Sequence, residues 1–328
     1  MGKADNALHE YWEDEEKFAD LFNAILFGGK KVILPEQLTE ADTRKNATVK
    51  KNIGKAREKA PLYSDLVKVA KIYKESGVEL VILGLENQEH IHYAMPMRVM
   101  GYDYSEYKKQ HRKLAKKYTK NRKGLSDDEY LSKMKRTDKL HPVITIVIYY
   151  GEKEWDGAKT LHEMLDISEE LKPYVNDYKM HLIEVRNNNL PLSHPNNRAL
   201  FQLCSIILDE KKTNAQKQET VIQYEKENRI DEEVLYALAA VTNCNLHREE
   251  KRGETSMCTF FESMKEEGRK EGIIGLILKK IAKNLSAVET ADMLEADIDF
   301  VQQIYDIKAA NPEYEEKEIF EAIQKAKA

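Results

Sequence analysis

The stretch HPVITIVIYYG, His141–Gly151, constrains the fold more than any other part of the sequence. Its apolar residues follow one another without the alternation of a half-exposed strand, so both faces of the strand must be covered. A strand of this kind is typical of the centre of a sheet that has helices on both sides. The sequence therefore predicts an α/β fold in which this segment is a central strand.

Other segments extend this architecture. Residues 62–88 contain two strand-like halves separated by KESG, which favours a hairpin. Residues 6–26 repeat apolar side chains at helical spacing and stop before Gly28. Residues 94–117 have helical composition, with Pro96 suited to a first helical turn. We therefore expect a mixed sheet with the first helix on one face and the second helix beside it.

The C-terminal part is almost entirely helical in pattern. Three regions are predicted: a sheet-containing domain over 1–200, a helical extension over 201–262 and a helical tail over 263–328. Within the tail, a compact three-helix unit is expected from about residue 270 to 308, with Ser286 as a helix N-cap.

Composition excludes several classes of protein. No run of about 18 apolar residues is present, so no membrane span and no membrane partner are expected. The acidic start MGKADNALHEYWEDEE lacks the apolar core of a secretory signal. Three widely spaced cysteines without a CxxC pair argue against a disulfide framework or a zinc site. A cytoplasmic protein is therefore expected.

The charge is unevenly distributed. The chain has a net charge of −5, yet Arg44–Lys123 holds 20 Lys and Arg against 8 Asp and Glu, a local net charge of +12. Two clusters, Arg44–Lys59 and Lys108–Lys123, account for most of it. They could be solvated helix faces or a surface that binds phosphates. The candidate nucleic-acid-binding residues in them are Lys50, Lys51, Lys55, Arg112 and Lys116.

Polar residues end the second strand of the predicted hairpin. Glu86 and Gln88 are two residues apart, so their side chains share a face. An antiparallel hairpin can bring Asp65 beside Glu86, and two carboxylates so placed favour a cation between them. Mg²⁺ or Mn²⁺ would suit such oxygen ligands and could activate a water for attack on a phosphate. The alternative is that Asp65 lies in a turn and that Glu86 and Gln88 form a solvated rim.

Four segments in this order resemble a known family: YSDLVKVAK, ELVILGLENQ, MPMRVMGYDYSEY and HPVITIVIYYGEKEWDGAKTLHEML. They are similar to the Rpn family of recombination-promoting nucleases, also known as YhgA-like putative transposases. The most specific residues of the resemblance are Tyr150, Gly151, Glu152, Trp155 and Gly157. It covers about residues 6 to 200 well and the remainder loosely.

The resemblance implies the restriction-endonuclease-like PD-(D/E)XK superfamily, which has a central mixed sheet flanked by helices. Its motif is an Asp, followed on the next strand by Asp or Glu, any residue, and Lys. Carried over, Asp65 and Glu86 are the two acids, and Gln88 stands in the place of the lysine, as is usual in this family. Glu10, on the first helix, matches an acid that sometimes assists the metal.

The implied function is a metal-dependent DNA endonuclease with Mg²⁺ or Mn²⁺ as cofactor. Arg98 would contact a phosphate, or it could form an exposed salt bridge. The tail departs from the family, because Leu294–Asp299 reads LEADID where a T-G-L-S turn is usual. The alternative function is a DNA-binding or assembly protein that keeps the fold without useful catalysis. The partners considered are DNA and a second copy of the chain bound through the C-terminal helices.

Overall fold

The computed structural model describes residues 3–40, 66–74, 77–187, 189–242 and 272–326. The chain divides into two compact units, Met1–Asn243 and Cys244–Ala328. In the described residues, no helix is both long enough and apolar enough to cross a membrane. The domain limits predicted near residues 200 and 262 stay predictions.

The first unit is built on a five-stranded mixed sheet with the strands in chain order. The strands are β1 (Leu38–Glu40), β2 (Leu66–Lys74), β3 (Gly77–Gln88), β4 (Val143–Tyr149) and β5 (His181–Glu184). The first three pair antiparallel, and β3, β4 and β5 pair parallel. The predicted mixed α/β class and the predicted hairpin of β2 and β3 are confirmed. The apolar β4 lies between β3 and β5, as expected of a covered strand.

Two helices, not one, occupy the N-terminal segment. They are α1 (Lys3–Glu13) and α2 (Glu15–Phe27). The prediction of a single helix was wrong because Asp14 has extended backbone angles and accepts a hydrogen bond from the Lys17 amide at 3.0 Å, as an N-cap does. Helix α2 ends at Gly28, whose φ of 59° is in the left-handed region that glycine adopts without cost.

The sheet separates these helices from α3 (Met95–Lys120), which is followed by the short helix α4 (Asp127–Ser132). On one face, the buried Lys68 of β2 donates through its Nζ to the backbone carbonyl of Glu13, at the end of α1. Lys68 pairs with Leu83, so Leu83 shares that face. Residues of opposite parity in β3 point to the other face, which α3 covers. This alternation decides which side of the sheet the Glu86 side chain occupies.

Helices that follow β5 complete the first unit. They are α5 (Pro195–Ile207), α6 (Asn214–Glu227) and α7 (Glu232–Val241). The fully buried Asn197 of α5 donates to the Lys17 carbonyl and to Asp20, both at 2.9 Å, and accepts from the Tyr11 hydroxyl at 3.0 Å. These bonds fasten α5 to α1 and α2, because an unsatisfied buried amide would cost about 1–3 kcal/mol.

The second unit contains four described helices. They are α8, described over residues 272–281, α9 (Ala287–Leu294), α10 (Ile298–Ala310) and α11 (Glu316–Ala326). Ser286 caps α9 as predicted, accepting from the Glu289 amide at 3.2 Å. Helix α11 adds a fourth member to the predicted three-helix unit, and its Ile319 lies in the same apolar core as Ile274 and Val301.

Candidate active site

Glu86 lies near the carboxyl end of β3 and points toward α3. Only 2% of its surface is exposed. The neighbouring positions Leu83 and Leu85 are fully buried on the opposite face. A carboxylate so deeply buried needs hydrogen bonds or positive charge around it, because transfer of an isolated charge from water is very costly. Its surroundings therefore decide what the group can do.

Three side chains donate to a single oxygen of Glu86. Arg98 Nη2 and the Tyr102 hydroxyl are each 2.8 Å from Oε1, and Gln88 Nε2 is 3.1 Å from it. Arg98 also donates through Nε to the Tyr102 oxygen at 2.9 Å. Burial and the adjacent Glu86 carboxylate raise the pKa of Tyr102 well above its ordinary value, so the phenol keeps its proton and serves as a donor. We call these four residues the Glu86 cluster.

The first turns of α3 bring Arg98 and Tyr102 to this place. The two residues are four positions apart, so they lie on one side of the helix. Met95 and Val99 on the adjoining side pack with Val147 of β4, which fixes the start of the helix on the sheet. Pro96 lies in the first turn, where its missing N–H costs no helical hydrogen bond.

The motif that carries the family resemblance contributes to packing under this helix. Trp155 is buried and meets the Tyr149 ring edge to face, with the centroids 5.1 Å apart. Both aromatic rings belong to the apolar cluster that supports the start of α3. At Gly151, a Cβ would overlap the Tyr149 side chain, so the close approach requires glycine.

A second buried carboxyl lies on the same face of the sheet. Asp103 accepts hydrogen bonds from the hydroxyls of Thr145 and Tyr178 and is nearly fully buried. Burial raises the pKa of Asp103 despite these bonds. The sequence analysis missed both Tyr102 and Asp103. Helical spacing from Arg98 could have indicated Tyr102, whereas the partners of Asp103 are distant in the sequence.

The structure brings some of the predicted site residues together and places others elsewhere. Glu86, Gln88 and Arg98 come together as described. Glu10 is exposed on α1, which packs on the opposite face of the sheet from the Glu86 side chain. Arg112 and Lys116 are exposed on α3. Asp65, Lys50, Lys51 and Lys55 lie outside the described residues.

The described residues contain no cluster of three or more His, Cys, Asp or Glu side chains that could hold a metal. Mg²⁺ in phosphate-processing sites is often held by only one or two carboxylates, with waters and substrate phosphates as the other ligands. Among the described residues, the Glu86 carboxylate and the adjacent Gln88 side-chain amide are the groups that would hold such a metal.

No protein-family model matches the chain, no curated protein is similar to it, and no solved structure matches it. The family indicated by the sequence motifs therefore stays a prediction.

Proposed function

We propose that the protein is a metal-dependent DNA endonuclease with a restriction-endonuclease-like fold. The observation that carries this proposal is the buried Glu86 at the end of β3, with Arg98, Tyr102 and Gln88 donating to one of its oxygens. A mixed sheet covered on both faces by helices agrees with the fold that the resemblance implies. Asp65, which precedes Leu66 in the chain, would be the second acid.

Each residue of the Glu86 cluster has a separate task in this proposal. Glu86 and Asp65 would hold Mg²⁺, which when bound supplies positive charge to the phosphate and acidifies a water. Gln88 would orient the attacking water or a phosphate oxygen, because an amide both donates and accepts hydrogen bonds. It cannot supply the positive charge of a lysine. Arg98, with 30% of its side chain exposed, would share its guanidinium between Glu86 and a phosphate.

Tyr102 positions the side chains of Arg98 and Glu86. Its hydroxyl accepts from Arg98 and donates to Glu86, so one side chain sets the orientation of both. A phenol is protonated at neutral pH, and burial raises the pKa of Tyr102 further, so its hydroxyl is a hydrogen-bond donor to Glu86 and not a base. We therefore expect Tyr102→Phe to weaken activity by loosening Arg98 and Glu86, while the metal requirement stays the same.

Nicking of supercoiled plasmid DNA tests the proposal. The wild type should nick with Mg²⁺ or Mn²⁺, and Asp65→Ala and Glu86→Gln should each lower the rate by on the order of 100-fold or more, as expected when charge stabilisation in a transition state is lost. Glu89→Gln is the matched control, because it removes a carboxylate three residues further along the same segment and should keep activity. Equal activity in all four proteins, or none in the wild type with any divalent ion, would refute the proposal.

Two observations favour a second candidate function, DNA binding or assembly without catalysis. Arg98 already forms a 2.8 Å ion pair with Glu86, and an amide stands where the superfamily has lysine. Both features favour a protein that keeps the fold and binds DNA or assembles without catalysis. It predicts DNA binding in EDTA that is unchanged by Glu86→Gln, together with no metal-dependent nicking in the plasmid assay.

A further inference from the structure

The C-terminal half of α3 has an exposed cationic surface. Residues 108–123 contain nine Lys and Arg and no acidic residue. Four exposed members of this run form what we call the α3 basic face: Arg112, Lys113, Lys116 and Lys120. Within the described residues, none of the four makes an ion pair. By contrast, the less exposed Lys109 pairs with Glu106.

The α3 basic face lies on the same side of the helix as the Glu86 cluster. An α-helix turns about 100° per residue, so Lys116, which is 18 residues beyond Arg98, follows it by about five full turns. The same arithmetic places all four cations within about 60° of the direction of Arg98. At about 1.5 Å per residue, Lys120 is about 33 Å along the helix from Arg98. One rigid helix therefore connects the cluster to the cations.

This arrangement weakens the isolated helix. Arg112, Lys116 and Lys120 are successive i,i+4 neighbours of like charge, and each such pair costs about 0.2–0.5 kcal/mol. The described part of the protein supplies no acid to offset the cost. A regularly spaced set of cations left in water is suited to an external polyanion, since the release of counterions then favours binding.

The chemistry of the face favours the backbone of a duplex. An anionic membrane would require apolar side chains among the cations, but Tyr118 is buried and donates to Asp138 at 2.8 Å, away from the face. Stacking of single-stranded bases would require exposed rings on this face. The exposed Tyr104 of α3 lies about 120° around the helix from Arg98, and the nearby Tyr130 ring is covered by the Arg122 guanidinium and the Lys133 ammonium, 4.5 Å and 3.2 Å from its centroid. The distance of about 33 Å along α3 from Arg98 to Lys120 is close to one turn of duplex DNA, about 34–36 Å.

We propose that the α3 basic face, which spans about 12 Å along the helix, binds the phosphate backbone of duplex DNA and leads it to the Glu86 cluster, so that the face and the cluster together span about one helical turn of the duplex. The proposal rests on the proposed function for what happens at the cluster, whereas the binding itself does not require catalysis. Because the contacts are to phosphates, they position the duplex and carry no sequence information.

Fluorescence anisotropy with a labelled 20-base-pair duplex in EDTA tests this binding. One variant converts all four residues of the α3 basic face to glutamine, which keeps a high helix propensity. The control variant removes the same charge by changing four exposed lysines elsewhere to glutamine. These are Lys30, Lys153, Lys211 and Lys226. The intact full-length protein is used throughout.

We expect the wild type and the control variant to bind with similar affinity and similar salt dependence. Four phosphate contacts contribute about −3.6 to the slope of log affinity against log salt, so the α3 variant should have a slope shallower by about that amount. Between 50 and 200 mM salt, the wild type should therefore lose about 100-fold more affinity than the α3 variant does. At 50 mM salt, the wild type should bind more tightly than the α3 variant.

Three results would overturn the proposal. The α3 variant and the control could have identical salt slopes, or the protein could bind single-stranded DNA more tightly than duplex DNA. The α3 variant could also lose binding to phosphatidylserine vesicles while its duplex binding is unchanged. Failure of the nuclease proposal is distinguishable, because binding is measured without a divalent ion. Duplex binding through the face with no nicking would support the face and refute catalysis. Nicking that the α3 variant retains in full, with unchanged duplex binding, would refute the face alone.

Discussion

Replacing Arg98 with methionine should destabilise the first unit far more than the same replacement at Arg112, an exposed arginine of the same helix. Arg98 forms a 2.8 Å ion pair with Glu86, which is 2% exposed. Methionine keeps the apolar part of the side chain and removes the charge. The carboxylate of Glu86 is then left in the protein interior with fewer donors.

The expected loss follows from the surroundings of the pair. Breaking a buried ion pair typically costs about 3–5 kcal/mol, because the remaining charge is uncompensated. Here Arg98 is partly hydrated, and Tyr102 and Gln88 still donate to the same oxygen. We therefore expect a loss of about 2 kcal/mol in the free energy of unfolding. Arg112→Met should change it by less than about 0.5 kcal/mol.

A double-variant cycle separates the buried charge from packing effects. Glu86→Gln leaves a guanidinium that can reach water, so it should cost less than Arg98→Met does. The double variant should be more stable than Arg98→Met alone, because the uncompensated carboxylate is then absent.

Urea unfolding followed by tryptophan fluorescence measures these effects in the first unit. The chain has two tryptophans, Trp12 and Trp155, and both are buried and lie in Met1–Asn243. Equal stability of the Arg98 and Arg112 variants would contradict the reasoning. A double variant less stable than Arg98→Met would contradict it as well.

Two further predictions use the same assay. Burial raises the pKa of Asp103, so the folded protein keeps a proton that the unfolded chain releases. The contribution of this group to the free energy of unfolding should therefore fall as the pH rises from the pKa of the unfolded chain to that of the folded protein. Asp103→Asn removes this titration, so its stability relative to the wild type should improve with rising pH there, and a constant difference would refute the assignment. Gly151→Ala places a methyl group on the Tyr149 side chain and should cost about 1–3 kcal/mol, whereas an unchanged urea midpoint would show that the chain relaxes freely.

Local patterns in the sequence are enough for several elements of the fold. The uninterrupted apolar run of β4 predicts a strand covered on both faces, and the KESG turn predicts the hairpin of β2 and β3. The alternation along β3 also places Glu86 and Gln88 on one face. The break between α1 and α2 was not predicted, because apolar spacing continues past Asp14, whereas the N-cap that begins α2 depends on one side-chain hydrogen bond.

In the Glu86 cluster, local periodicity sets the direction of each side chain, and long-range packing sets which side chains meet. Strand and helix periods are local properties, so they fixed the faces of Glu86 on β3 and of Arg98 and Tyr102 on α3. Contact between these faces depends on how the crossover between β3 and β4 lays α3 on the sheet, which no local pattern encodes. The same holds for Asp103, whose partners Thr145 and Tyr178 lie 42 and 75 residues away in the chain. Long-range packing of α3 on the sheet therefore buries the Glu86 carboxylate and brings Arg98 and Tyr102 to the oxygen that also accepts from Gln88.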